Sequence, residues 1–245
     1  MTKLRKELTL YGLTLIAVGS CVGSGIFLTP HEIAQHLPSE GHMLLVWTLG
    51  GFISLTGALT FAELGGLFPK TGGVYQFIKE AYGELYGFLY GWCILLVITS
   101  GAIAALSVAF ASYLNYFLEW SETGQKLLAI SCISLITVAN IFGVKISQFV
   151  SSTLTMTKII GIAGLVIVAV VFCREGFAAP FQIREIDDPQ KSFSLALIGV
   201  LWSYGGWHHA SYLAGESKEA ARIVPKAMML GTLIVTLIYL TCNAA

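Results

Sequence analysis

A chain of 245 residues that is 56% hydrophobic and 11% charged, with mean hydropathy +0.76, is far from a soluble domain, where about 25% of residues carry charge. The composition is that of an integral membrane protein. Fourteen basic and fourteen acidic residues cancel, so nothing in the charge points to nucleic acid or to a polybasic lipid-binding tail.

The N-terminus, MTKLRKELTLYG, runs a basic cluster straight into an apolar span with no cleavage site, which predicts a retained first helix. Apolar runs able to cross about 30 Å of hydrocarbon lie near residues 9–28, 43–67, 83–117, 126–142, 149–173, 193–213 and 227–245, predicting about seven transmembrane helices and an all-α membrane protein. With the N-terminus in the cytoplasm, Lys3, Arg5, Lys6, Lys70, Lys79, Lys145, Lys218, Arg222 and Lys226 fall inside and Lys126, Arg174, Arg184 and Lys191 outside. That excess is the one expected of a multi-pass protein of the cytoplasmic membrane. Cys21, Cys93, Cys132, Cys173 and Cys242 lie in or beside apolar runs, so reduced packing residues are expected rather than disulfides.

The first run contains AVGSCVGSGIFLTP, with three glycines and two serines between Gly19 and Gly25. A break in the helix is expected there. The third run is longer than a perpendicular helix needs, which predicts strong tilt or projection from the bilayer. Gly83, Gly87 and Gly91, then Gly101, Ala105 and Ala109, recur every four residues and predict a face of close helix contact. The sixth run repeats the character of the first, with Ser203, Tyr204, Gly205, Gly206, Trp207, His208 and His209 at its middle. Five helices separate the two interruptions, and an odd number inverts the orientation in the membrane. Paired broken helices at matching positions point to a transporter site at the bilayer midplane, between inverted repeats. Unwound backbone is tolerated at that depth only where it lines a cavity or is buried in protein.

Such a site suits a zwitterion. Where the first helix restarts after Gly23, Ser24 and Gly25, its N-terminal amides form a positive pole for a carboxylate, with glycine allowing close approach. Carbonyls freed near Trp202, Ser203 and Gly205 would accept from an ammonium. The two poles together describe an α-amino acid. Lys158, nine residues into the fifth run if that helix starts near Phe149, sits about 14 Å deep. An ionisable residue there is expected to face the bundle interior and to serve function.

The remaining candidates are bland. His208 and His209 are adjacent, so on a helix their side chains diverge by about 100° and do not chelate one ion together. Glu63 reads as a structural ion pair near the cytoplasm, and His31, His36 and His42 as solvated. Asp187 and Asp188 lie on the loop 174–192, away from any cavity. No nucleophile–base set or metal-ligand cluster emerges, so no enzyme activity, metal or cofactor is expected.

GSGIF in the first run, FAELGGLFPKTGGVYQFIKEAYG after the second, NIFGVK ending the fourth, TKIIGI in the fifth, and WSYGGW followed by GESKEAARIVPKAM resemble the amino acid/polyamine/organocation superfamily. The resemblance is strongest to the L-type amino acid transporter branch and its bacterial relatives. It implies a five-plus-five inverted-repeat fold with discontinuous helices 1 and 6, and uptake or exchange of L-amino acids by alternating access. By that resemblance Gly23, Ser24, Gly25 and Ile26 would meet the substrate carboxylate, and Trp202, Ser203, Tyr204 and Gly205 the ammonium. Trp202 stands where close relatives often carry a gating Phe. Lys158 stands where sodium-coupled cousins bind an ion, which implies a tie to the broken first helix and proton coupling.

The repeats divide the chain into residues 1–175 (helices 1–5), an external loop 176–192, and residues 193–245 (helices 6–7). A second repeat of equal length would run about 110 residues past Ala245, so an incomplete second repeat is expected. A chain of this extent is expected to insert poorly or to pair with another membrane chain that covers the gap. The competing reading is a non-transporting fragment or assembly subunit of such a permease.

Overall fold

The structure, a computed structural model, describes Lys6, residues 8–141, residues 144–172, Ile186 and residues 188–244, without the side chains of 144–149, 151, 152, 170 and 172. Lys3, Arg5, Cys173, Arg174, Arg184, Asp187 and most of the expected loop 176–192 lie outside the described residues.

Helix α1, Leu10–Cys21, starts where extended Thr9 accepts the Gly12 N–H on its Oγ1 at 3.3 Å, an N-cap that satisfies one of the first turn's free donors. Residues 22–24 are non-helical, and α2 resumes at Gly25–His36 with its axis turned by 42°. Next come α3 (Glu40–Leu67), α4 (Val74–Tyr82) and α5 (Glu84–Cys93), then a π-helical segment, Ile94–Thr99, that runs straight into α6 (Ser100–Leu118). After α7 (Glu122–Ile141) and α8 (Val144–Phe172), α9 (Pro189–Tyr204) begins with Asp188 accepting the Lys191 N–H at 3.0 Å and Pro189 in the first turn, where its missing N–H costs nothing. Residues 205–208 form a turn, followed by α10 (His209–Tyr212), a 3₁₀ turn and α11 (Ala220–Ala244). Among the described residues, α3, the α5–α6 rod, α7 and α11 are long and apolar enough to cross a membrane, and the bent pair α1–α2 is a fifth.

Two compact units emerge: Met1–Phe77 with Lys158–Ala245, and Ile78–Thr157. In the first, α11 lies along α3 and α1, while α9 packs on α2 and α3. Close approach is built into α3, whose buried residues include Gly50, Gly51, Ser54, Ala58, Ala62 and Gly65; small residues let membrane helices meet backbone to backbone. At the centre Trp47, Tyr204 and Tyr239 are each fully buried, with Tyr239 at ring-centroid distances of 5.4 Å from Trp47 and 5.0 Å from Tyr204.

The second unit holds the α5–α6 rod paired with α7, together with the end of α4 and the first half of α8. Glu119, at φ 51°, ends α6 in a left-handed residue, and Asn115 holds the turn through the Trp120 backbone, accepting its N–H at 2.9 Å and donating to its carbonyl at 3.1 Å. The four-residue stripe is a contact face only in part: Gly87 is buried, with a methyl there 3.0 Å from Lys79 Cβ, whereas a methyl group at Gly101 would meet nothing within 4 Å, and the buried positions of α6 are Ser107 and Ala111. Glycine spacing marks a smooth face but does not say which face finds a partner. Exposed apolar side chains such as Leu95, Val97 and Ile98 cover the rod, as expected where the surrounding solvent is hydrocarbon.

Candidate functional site

The interruption of α1 leaves its last carbonyls without helical partners, and other parts of the chain meet most of them. The Val22 N–H closes on the Val18 carbonyl at 2.8 Å. From α8, the half-buried Lys158 ammonium donates to the Val22 carbonyl at 2.8 Å and approaches the Gly19 carbonyl at 3.4 Å. From α11, the Tyr239 hydroxyl sits 2.8 Å from the Cys21 carbonyl oxygen and 3.0 Å from that of Ser203. One phenolic proton therefore serves the C-terminal ends of two broken helices.

Across the break the polarity reverses. Ser24 makes no side-chain cap for α2, and among the described residues no hydrogen bond reaches the amides of Gly23, Ser24, Gly25 or Ile26. These groups carry the positive end of the α2 dipole. The Ile26 side chain lies in the core at 3% exposure, so only its backbone is available to a ligand.

The second interruption abuts the first. A methyl group at Gly25 would fall 2.7 Å from Ser203 Cα, so the first turn of α2 crosses the last turn of α9 at backbone contact. Gly206, at φ 128°, is equally close to the other half: a methyl there would lie 2.5 Å from the Ser20 carbonyl oxygen. Gly23 differs, since its added methyl would find only the Cys21 carbonyl oxygen at 3.8 Å.

The carbonyls expected to be free at this second break are partly taken. Trp202's accepts the Gly205 N–H at 3.1 Å and Ser203's faces Tyr239, while among the described residues no hydrogen bond reaches those of Tyr204 or Gly205. Trp202 holds its indole outward at 62% exposure. The Tyr204 side chain turns away into the core, donating to the Trp47 carbonyl at 3.1 Å, so only its backbone faces the break. The His208 and His209 rings lie 4.6 Å apart between centroids, His208 in the turn and His209 at the start of α10. Glu63, His31, His36 and His42 are exposed.

Two participants were not singled out from the sequence: Tyr239, and Thr29, whose Oγ1 lies 2.8 Å from Ser203 Oγ. The signal for both is a hydroxyl inside an apolar run, which must find an acceptor at that depth. A cavity of about 380 Å³ beside the break, bounded by Val22, Ile162, Val166, Leu237 and Thr241 among others, has a lining of almost wholly apolar side chains. Thr241 turns its hydroxyl onto the Leu237 carbonyl at 2.8 Å. That cavity has nothing with which to hold a zwitterion.

The family described as amino acid permease matches residues 8–245. The chain is 35% identical to the serine/threonine exchanger SteT of Bacillus subtilis over 243 residues, 99% of this chain and 55% of the relative. It is 33% identical to the mouse b(0,+)-type amino acid transporter 1, over 100% of this chain and 51% of the relative. Identity to the human large neutral amino acids transporter small subunit 2 is also 33%, over 99% and 47% respectively. The chain thus spans about half the length of the curated relatives it matches.

Proposed function

Because the chain belongs to the amino acid permease family, on the L-type branch of the amino acid/polyamine/organocation superfamily, we propose that it serves the movement of L-amino acids across the cytoplasmic membrane by alternating access. The observation that carries this reading is the abutment of the two broken helices, with uncapped amides at Gly23–Ile26 on one and open carbonyls at Tyr204 and Gly205 on the other. Unsatisfied polar groups in hydrocarbon cost several kcal/mol each. An α-amino acid satisfies both sets at once, its carboxylate on the amides and its ammonium on the carbonyls. Trp202 and Ser203 contribute the second lone pairs of carbonyls that already accept one donor.

In this reading the chain carries helices 1–5 of one repeat in residues 1–175, a loop over 176–192, and helices 6–7 of an inverted repeat in 193–245, with its N-terminus in the cytoplasm. Lys158 is the coupling residue. Its ammonium holds the Val22 carbonyl at the hinge of the first helix, so its protonation state bears on how the two halves move. The relatives are named as transporters and exchangers, which favours transport over enzymatic chemistry. One is named as a small subunit, which supports pairing with another membrane chain.

The test is exchange in liposomes. The chain, purified together with any membrane chain that it pairs with and reconstituted around internal L-serine, should take up labelled L-serine saturably and in preference to D-serine. A chain that neither binds nor exchanges L-amino acids stereoselectively refutes the proposal.

A further inference from the structure

Thr29 lies one helical turn beyond Gly25 on α2, so the two share a face. Gly25 on that face touches the Ser203 backbone, and Thr29 sits buried at 9% exposure with its Oγ1 2.8 Å from Ser203 Oγ. Each hydroxyl also has an acceptor on its own helix, the Gly25 carbonyl at 2.8 Å for Thr29 and the Gly199 carbonyl at 2.9 Å for Ser203. Three contacts thus compete for two protons. If Thr29 donates to Gly25, Ser203 must donate to Thr29; if Ser203 donates to Gly199, Thr29 must donate to Ser203. Both arrangements keep the bond between helices. Only the state in which each hydroxyl turns to its own helix loses it, and that state faces two oxygens toward each other at 2.8 Å. Ile26, Ile33, Ala196 and Val200 on the same two helices are buried in one cluster, and Ser203 is only 2% exposed, which limits competition from solvent for either proton.

We infer that Thr29 is a positioning residue for the amino acid: its hydroxyl sets the register between the amide pole on α2 and the carbonyl pole at the end of α9. Both poles lie within about one turn of the bond. The carboxylate and ammonium of an α-amino acid are held apart by a single carbon, so the poles must keep a matching separation. Thr29 does not touch the substrate. It fixes the distance across which the substrate reaches, and in this the inference rests on the amino acid reading above.

Valine has the shape of threonine without the hydroxyl, so Thr29→Val tests the bond and not the packing. Its KM for L-serine should rise roughly three- to tenfold with kcat little changed, the range expected of one interhelical hydrogen bond in a membrane. Thr29→Ser should restore the wild-type KM. Adding Ser203→Ala to Thr29→Val should weaken binding less than the two separate effects predict, because the shared bond is already gone. If Thr29→Val does not insert, Thr29→Ala carries the same comparison. A hydroxyl-free variant with wild-type KM, a serine variant no better than valine, or fully additive effects overturn the inference. Wild-type chain without stereoselective binding would instead refute the amino acid reading, and this inference with it.

Discussion

Gly206 rests directly on the backbone of Ser20: a methyl group on its α-carbon would lie 2.5 Å from the Ser20 carbonyl oxygen. The turn that interrupts one helix is seated on the last turn before the interruption of the other. Gly206 also has φ 128°, a conformation that costs other residues about 1–3 kcal/mol. Gly206→Ala should therefore destabilise the folded protein through both terms. A fall in its unfolding temperature in detergent checks this; an unchanged midpoint would mean the turn can move off Ser20.

Gly23 and Gly25 should respond differently although they are two residues apart. Gly25→Ala drives a methyl into the Ser203 backbone at 2.7 Å and should damage folding first. Gly23→Ala has room, its nearest neighbour being a carbonyl oxygen at 3.8 Å. It should leave the melting temperature in place and weaken L-amino acid binding by about tenfold, because the added methyl holds a carboxylate off the amides. Full binding affinity in Gly23→Ala would remove the carboxylate from this pole.

Tyr239→Phe removes the one proton that faces both the Cys21 and Ser203 carbonyls. Leaving a buried acceptor without a donor costs about 1–3 kcal/mol, so a lower thermal midpoint is expected with insertion preserved. The ring should stay in place, since its contacts with Trp47 and Tyr204 do not involve the hydroxyl.

Lys158→Ala should reduce transport by at least about tenfold, because the Val22 carbonyl at the hinge loses a charged donor at 2.8 Å and charged hydrogen bonds exceed neutral ones in strength. Lys126→Ala is the control. That lysine is exposed and pairs with Glu122 at 2.6 Å, an arrangement worth well under 1 kcal/mol. If Lys158 carries a proton during transport, Lys158→Met should also flatten the pH dependence of whatever rate remains. An undisturbed rate and pH profile would assign the lysine to packing alone.

What could be read from the sequence is what depends on neighbours within a turn or two. Glycine and serine crowded between Gly19 and Gly25, and again from Ser203 to Gly206, weaken a helix locally, and α1 and α9 end at Cys21 and Tyr204. Apolar run length likewise anticipates α3, the α5–α6 rod, α7 and α11, because crossing hydrocarbon is a requirement on composition and length. Which groups meet across the break is a different kind of fact. Tyr239 finds Cys21, 218 positions away, and Thr29 finds Ser203, 174 away. Trp202 and Ser203 turn out to have carbonyls already engaged, and Gly25 serves a helix crossing as well as an approach to backbone. A buried polar group must find a partner, but local sequence leaves open which one. Only the packing of α2 on α9 and of α11 on α1 brings the partners within 3 Å and decides it.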